Sequence, residues 1–345
     1  MSSPGTRVAY DAWVRPSQWI RWWASIGVLL VATFGCAGPS KLPDPDPVRA
    51  ELRALIENVA GSTAHHYQLH DTDGRDMGPT KVIWSPEAGK FAGIYFAWEE
   101  PVGAFVVHLA TSDDLFTWDE QNAYDVGASQ PTMARTASGR YVVAWEQEPD
   151  PIHLVLLEFP TWADFVAKQG TPRFLEPAVT MPACGEGTPD ITSATDDRVE
   201  VTFHYHAGCE RDRQAHGWTD WTEWHSAPDP DLDSLMEAAG VRGHIGDRAS
   251  FTYRGRPFML IEGETIPGDW ASWRLFLYDP SAGTAEPLEI RTDGGSRAFS
   301  NPAVEIVTID GQQSLLVTMY LFTEGAAEGE DGGLLYYQTL PQESG

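Results

Sequence analysis

Positive charge is scarce in this chain. Its 23 Lys and Arg stand against 50 Asp and Glu, a formal net charge of −27. Setting aside residues 1–35, which hold three Arg and one Asp, leaves −29. A surface this acidic repels phosphate backbones and anionic headgroups, so nucleic acid is not an expected partner. Motifs of the common hydrolases and nucleotide binders are also missing. There is no G-x-S-x-G elbow, no H-E-x-x-H pair and no G-x-x-x-x-G-K-[ST] loop. The run Asp71-Thr-Asp73-Gly74-Arg-Asp76 spaces acids around a glycine but lacks the downstream glutamate and helices of a calcium loop.

Long apolar stretches are absent as well. The uncharged run from Trp22 to Phe34 is thirteen residues, short of the roughly 20 that span a bilayer. It follows Arg7, Arg15 and Arg21 and reads as a secretory signal over residues 1–35. Thr33-Phe-Gly-Cys36 resembles a bacterial lipobox, which implies lipidation of Cys36; ordinary export with a nearby cleavage and an uncleaved anchor are the other readings. The expected location is the bacterial cell envelope, with membrane attachment through the N-terminal lipid only. Residues 36–47, rich in proline and polar groups, suit a tether. From Pro47 the apolar spacing predicts a short helix, and residues 48–345 are expected to form one domain and a monomer.

Cysteine is rarer still, with three in 345 residues. Beyond Cys36, the pair Cys184 and Cys209 fits a disulfide in an exported protein. Zinc binding with His204 and His206 is the rival reading, but two cysteines at this spacing match no standard zinc pattern.

What the chain has in quantity is a repeat. Gly78-Pro79-Thr80, Gln130-Pro131-Thr132, Thr188-Pro189-Asp190, Gly246-Asp247-Arg248 and Asn301-Pro302-Ala303 recur at 52, 58, 58 and 55 residues, counted from 79, 131, 189, 247 and 302. Each is followed by a strand-like run, a turn and a more hydrophobic run, such as Phe91–Trp98 or Arg140–Glu146. Several strands per unit at a period near fifty mark propeller blades. Five units predict an all-β, five-bladed β-propeller.

A second echo lies further out in the units. Ser112-Asp-Asp114-Leu-Phe-Thr-Trp118 and Asp220-Trp-Thr-Glu-Trp224 share Asp-x-x-x-Trp, with a weaker copy at Trp162-Ala-Asp-Phe165. The aspartate suits a turn cap and the tryptophan a cover for the neighbouring blade, which is a structural role. The first copy resembles the S-x-D-L-x-x-W element of the five-bladed propeller glycoside hydrolases, the arabinanase, xylosidase and invertase-like group. That resemblance spans about residues 70–340 at the level of architecture. It implies a site at one end of the channel, where the innermost strands begin.

Geometry alone also brings residues 76–80, 129–132, 186–190, 244–248 and 299–302 together around the axis. Their polar members are Asp76, Gln130, Glu186, Asp190, His244, Asp247, Arg248 and Asn301. A ring with four carboxylates is costly to desolvate unless its charges pair internally or bind something. The resemblance implies catalysis by carboxylates, with Glu186, in Glu-Gly-Thr-Pro, as proton donor. Asp76 matches the first-blade aspartate, and Asp190 or Asp247 stands in for the second-blade acid, where this chain has Gln130. Glu146, Glu262, His204 and His206 form an expected second tier that binds substrate together with Gln130, His244, Arg248 and Asn301. His204 and His206 alternate with Phe203 and Tyr205 and share one strand face, as ligands or as a satisfied pair. Trp270 and Trp273 suit sugar stacking or blade packing equally.

The expected ligand is a carbohydrate or another small polar molecule, and the expected role is glycoside hydrolysis. A glycan- or envelope-partner-binding propeller without catalysis is the alternative. No cofactor or metal site is expected, with a structural calcium on the axis left open.

Overall fold

The computed structural model describes residues 46–170, 173–177 and 183–341. Helix α1 (Pro47–Glu57) leads to strand β1 (Ala64–Tyr67). Blade 1 is β2 (Lys81–Ser85), β3 (Lys90–Glu99), β4 (Ala104–Ser112) and β5 (Asp119–Val126). Blade 2 is β6 (Ala128–Arg135), β7 (Tyr141–Gln147), β8 (His153–Phe159) and β9 (Arg173–Leu175), with helix α2 (Trp162–Ala167) before its last strand. Blade 3 is β10 (Ala183–Ala194), β11 (Val199–Ala207), β12 (Arg211–Thr219) and β13 (Trp224–Pro228), followed by helix α3 (Pro230–Ala239). Blade 4 is β14 (Ile245–Tyr253), β15 (Arg256–Glu264), β16 (Trp273–Asp279) and β17 (Thr284–Pro287). Blade 5 is β18 (Phe299–Ile309), β19 (Gln312–Leu321) and β20 (Gly332–Thr339), and its fourth strand is β1.

This is the five-bladed β-propeller that the repeat predicts. Pairing β1 with β20 closes the ring, since the start of the domain completes its last blade. Each blade is an antiparallel meander; β11 of blade 3 alternates buried and half-buried residues, whereas in blades 1 and 2 the second strand is covered on both faces. That is why β3 is buried from Phe91 to Ala97 and β7 from Tyr141 to Glu146, and why both read as unbroken apolar runs.

The apolar core lies in layers between blades. One layer joins blades 4 and 5 through Leu260, Leu275, Val304, Leu315, Val317 and Tyr336. Another joins blades 2 and 3 through Val142, Ala144, Leu156, Val201 and Phe203. Trp118 lies in the layer between blades 5 and 1, and Trp224 packs on the blade 2–3 layer, as the outer echo predicts. Their aspartates hold turns. Asp114 Oδ1 accepts from the Phe116 and Thr117 N–H groups, and Asp220 Oδ1 from those of Thr222 and Glu223.

Cys184, on β10, is disulfide-bonded to Cys209 in the β11–β12 turn. This pairing removes the zinc reading of the two cysteines. Cys36 lies outside the described residues, as do the signal and most of the tether. Among the described residues no helix is long and apolar enough to cross a membrane.

Helix α1 packs on the seam between blades 4 and 5. Leu52 and Ile56, one turn apart, are fully buried there, and the Tyr336 hydroxyl donates to the Ile56 carbonyl at 2.6 Å. Arg53 reaches Glu286 at 2.6 Å and Glu57 at 2.8 Å. Truncating Ile56 leaves a cavity in this layer, so Ile56→Ala is expected to cost about 2–5 kcal/mol in urea unfolding. A loss below about 0.5 kcal/mol would mean that the helix is not part of the cooperative unit.

Candidate functional site at the channel mouth

The repeated anchors are β-bulges, in which two residues of the inner strand oppose one on its neighbour. Gln130-Pro131 lie between the pairs Ser129–Glu146 and Thr132–Ala144. Thr188-Pro189 lie between Gly187–His204 and Asp190–Thr202. Gly246-Asp247 and Asn301-Pro302 repeat the pattern in blades 4 and 5. In blade 1 the Gly78 N–H donates to the Phe96 carbonyl and pairing resumes at Lys81–Ile94, so its bulge is Pro79-Thr80. The alignment on proline is therefore one residue out in that blade. Lys81 is the true equivalent of Thr132, Asp190, Arg248 and Ala303. A bulge bends the strand and re-aims its side chains. Gln130, Thr188 and Asn301 are all left-handed there, with φ of 52°, 45° and 46°.

The bulges do converge on the axis. The Asn301 amide of blade 5 donates to Gln130 Oε1 of blade 2 at 2.9 Å, a bond between blades that are not neighbours. Lys81 of blade 1 likewise crosses to blade 4. Its ammonium donates to the Arg248 carbonyl at 3.2 Å and the Pro302 carbonyl at 2.8 Å, and lies 3.7 Å from Asp247 Oδ2. Below this ring a cavity of about 70 Å³ is lined by residues that include Lys81, Thr132, Asp190, Ser250 and Glu305. It has room for waters but not for a sugar, since small-molecule pockets run to about 300–1,000 Å³. A sugar at the axis would therefore sit on the mouth.

Arg248 is fully buried, and burial lowers its pKa. Its guanidinium donates to the Thr188 carbonyl at 2.6 Å, to Thr188 Oγ1 at 3.1 Å and to the Gly246 carbonyl. With an arginine donor on that hydroxyl, the Thr188 O–H is left to donate to His204 Nδ1, 2.6 Å away. His204 then carries its proton on Nε2, and burial depresses its pKa to about 4. Thr188 N–H donates to Glu146 Oε2 at 2.9 Å. Thr188 thus ties blade 3 to blades 2 and 4.

Two carboxylates act as matched staples between blades. Glu146 accepts from the Ser129 hydroxyl at 2.8 Å in its own blade and from Thr188 N–H in the next. Glu262 accepts from Asp247 N–H at 2.8 Å and from Asn301 N–H in the next blade. Burial pushes Glu146 up to about 7 and Glu262 up to about 8. Each carboxylate lies against a glycine, Gly187 or Gly246, where any Cβ would overlap it. Asp190 repeats the arrangement on Ser250 N–H at 2.9 Å, and burial raises its pKa too.

The rim between blades 3 and 4 is open. Asp212, directly across the ladder from His206, accepts at Oδ1 from His206 Nδ1 at 2.7 Å and at Oδ2 from His244 Nδ1 at 2.8 Å. Burial alone would raise the Asp212 carboxyl, but His204, His206 and His244 hold it well below the usual range. The bond to Asp212 raises both His206 and His244. Trp273 lies parallel to the His244 ring at 6.5 Å, and Trp270 parallel to Trp273 at 6.1 Å. Phe322 stands edge-on to Trp270 at 4.8 Å.

Most of the residues singled out in the sequence therefore meet: Gln130, Glu146, Asp190, His204, His206, His244, Asp247, Arg248, Glu262 and Asn301. Asp76 does not. Its side chain is 68% exposed and pairs with His70 at 2.9 Å, because Met77 and Gly78 take its chain off toward Leu69 and Phe96 before the bulge begins. Glu186 is buried at the start of blade 3, across the ladder from Tyr205, with its N–H on the Ile152 carbonyl. The polar set expected from the repeat lacks Lys81, Asp212 and Thr188, although Thr188 begins an anchor. Shifting the first repeat by one residue exposes Lys81 as a signal. Asp212 becomes visible only through its ladder position opposite His206.

No protein-family profile matches the chain, and no curated protein matches it in sequence. Among solved structures it is similar to a thermostable family-43 glycoside hydrolase, with a TM-score of 0.51 and 8% identity over 78% of this chain and 91% of that one. It is also similar to the endo-arabinase from Bacteroides thetaiotaomicron, with a TM-score of 0.53 and 12% identity over 81% and 99%. An exo-1,5-α-L-arabinanase from a bovine ruminal metagenomic library gives 0.51 and 11% over 81% and 97%. The fold is the five-bladed propeller of these hydrolases. At such identities the fold is what is shared.

Two outcomes test the ring. Thr188→Val keeps the branched shape but strands the Arg248 and His204 partners of the hydroxyl, so a loss of about 1–3 kcal/mol is expected, with Thr188→Ser losing less. Equal losses in both would show that the hydroxyl is not what matters. For Glu262 the folded pKa lies above the unfolded value of 4.5, so the folded state binds the extra proton. Its contribution is complete below about pH 4.5 and falls as pH rises toward 8, by at most about 1.4 kcal/mol per unit. The stability gap between wild type and Glu262→Gln should narrow over that window in urea titrations. A gap that widens with pH would show that the backbone donors keep this carboxylate ionised.

Proposed function

We propose that this protein recognises a glycan at the channel mouth, as an exported, envelope-located chain anchored through a lipid on Cys36. One observation carries the recognition reading. The half-buried Trp270 lies parallel to the buried Trp273 beside the His206–Asp212–His244 cluster, on the face where the inner strands begin. Indole faces suit the apolar side of a sugar ring, and the adjoining imidazoles and carboxylate suit its hydroxyls. Glu146, Glu262 and Asp190 below accept from the backbone N–H groups of Thr188, Asn301 and Ser250 in adjacent blades, which ties them to the scaffold rather than to proton transfer. The hydrolase neighbours of the same fold support a carbohydrate as the ligand class.

Hydrolysis is the second reading, favoured by the burial of Glu186 at the start of blade 3. A proton donor needs a raised pKa and an opposing carboxylate about 5–9.5 Å away. In this scheme Glu186 gives the proton, and Asp190 or Asp247 stands opposite.

A panel of oligosaccharides and aryl-glycosides separates the two. Calorimetry and turnover are measured on wild type, Trp270→Ala and Glu186→Gln. Binding without turnover, weakened about tenfold or more by Trp270→Ala, is the expected result. Turnover abolished by Glu186→Gln would establish the hydrolase instead. Turnover that survives Glu186→Gln would discard this proton donor, and no binding to any member would remove the glycan reading.

A further inference from the structure

The rim cluster, set against sugar hydroxyls above, is also a metal-type ligand set. His206, Asp212 and His244 each present one donor atom, and the three atoms lie within 4.8 Å of one another. We infer that these side chains bind one divalent transition-metal ion of the Zn²⁺ class, leaving a coordination position open to a ligand oxygen. The inference stands whether or not a sugar binds.

The chemistry of the set comes first. Two imidazoles and one carboxylate suit zinc and the other late first-row divalent ions, whereas calcium and magnesium take all-oxygen sites. Bonds of about 2.0–2.1 Å place tetrahedral donors about 3.3 Å apart. The nitrogen-to-oxygen separations are 2.7 Å to Oδ1 and 2.8 Å to Oδ2, so an ion held by all three residues requires the imidazoles to draw back by about half an ångström. A single cation can take the place of the protons that now bridge the carboxylate to its two imidazoles. His204 is the near neighbour that is not counted, because its Nδ1 is held by the Thr188 hydroxyl.

His244 is aimed at Asp212. Its Nδ1 faces the Asp212 carboxylate at 2.8 Å and the Asp212 backbone N–H at 3.2 Å. One contact requires a proton on that nitrogen and the other a lone pair, so no single protonation state serves both.

The scaffold around the donors is stiff. His206 and Asp212 are ladder partners on either side of a short turn, and Cys209 in that turn is bonded to Cys184 on β10, the strand paired with β11. His244 is backed by Trp273 and its N–H donates to Glu264 Oε2 at 3.2 Å. Ligands fixed by such outer contacts lose little freedom on binding a metal. The His206 and His244 side chains are 33% and 29% exposed, so an ion has a route in and a face toward solvent.

The test uses the full chain, stripped with a chelator and then titrated separately with ZnCl₂, CoCl₂ and CaCl₂. Calorimetry, metal content after gel filtration and the visible spectrum of the cobalt form are the readouts. One Zn²⁺ per chain, a cobalt spectrum of low coordination number and no competition by calcium are expected. His206→Ala, His244→Gln and Asp212→Asn should each weaken zinc at least about tenfold. The double change His65→Ala and His66→Ala, at histidines away from the cluster, should leave binding intact. Zinc held equally by all variants would overturn the assignment, as would calcium displacing it. If the cluster variants fail to fold, the wild type still decides, because no binding up to about 1 mM metal ends the proposal.

Discussion

A β-branched residue in left-handed backbone costs about 1–3 kcal/mol, and Thr188 is such a residue. It is kept there by four hydrogen bonds, to Glu146, twice to Arg248 and to His204. Bonds to charged partners contribute about 1.5–3 kcal/mol each, so the bonds outweigh the strain. The same contacts link three consecutive blades at the axis. Arg248 is fully buried, and its place depends on the Thr188 carbonyl and hydroxyl and on the Gly246 carbonyl.

The interior of the ring follows from that constraint. Inner strands that bulge toward the axis leave their N–H groups without ladder partners, and the neighbouring blade's carboxylate takes them. Glu146 does this for blade 3 and Glu262 for blade 5. Lys81 crosses the axis to supply positive charge beside Asp247. Charges that would be costly to bury singly are thus matched by donors already needed for the backbone. Chemistry open to a ligand is displaced outward, to the half-exposed rim where His206, Asp212 and His244 meet the indoles of Trp270 and Trp273.

The fold is common to several arabinan-acting hydrolases, yet the polar residues at the mouth follow this chain's own pattern. The family resemblance implied an aspartate in the first blade, and Asp76 lies outside the ring in contact with His70. Gln130 occupies the second-blade position and bonds Asn301 across the channel. A shared propeller fixes where a ligand can approach; the side chains at the bulges decide what it meets.

Fold and ring differ in how far they could be read without coordinates. Repeating Pro-containing anchors, paired apolar runs and the Asp-x-x-x-Trp turns determined five blades, the helix from Pro47 and the Cys184–Cys209 pair, because each depends on local backbone rules or on counting. The polar anchors also named most of the residues on the axis. Bulge register was not legible: two residues against one changes which side chain faces inward, and so Lys81 was missed and Asp76 misplaced. Nor does one-dimensional spacing reveal that Asp212, six residues from His206 and 32 from His244, stands between them. The sequence by itself determined the number of blades and the residues that begin them. Only the tertiary structure decided their partners, since pairing across an axis depends on strand register and blade closure rather than on distance along the chain.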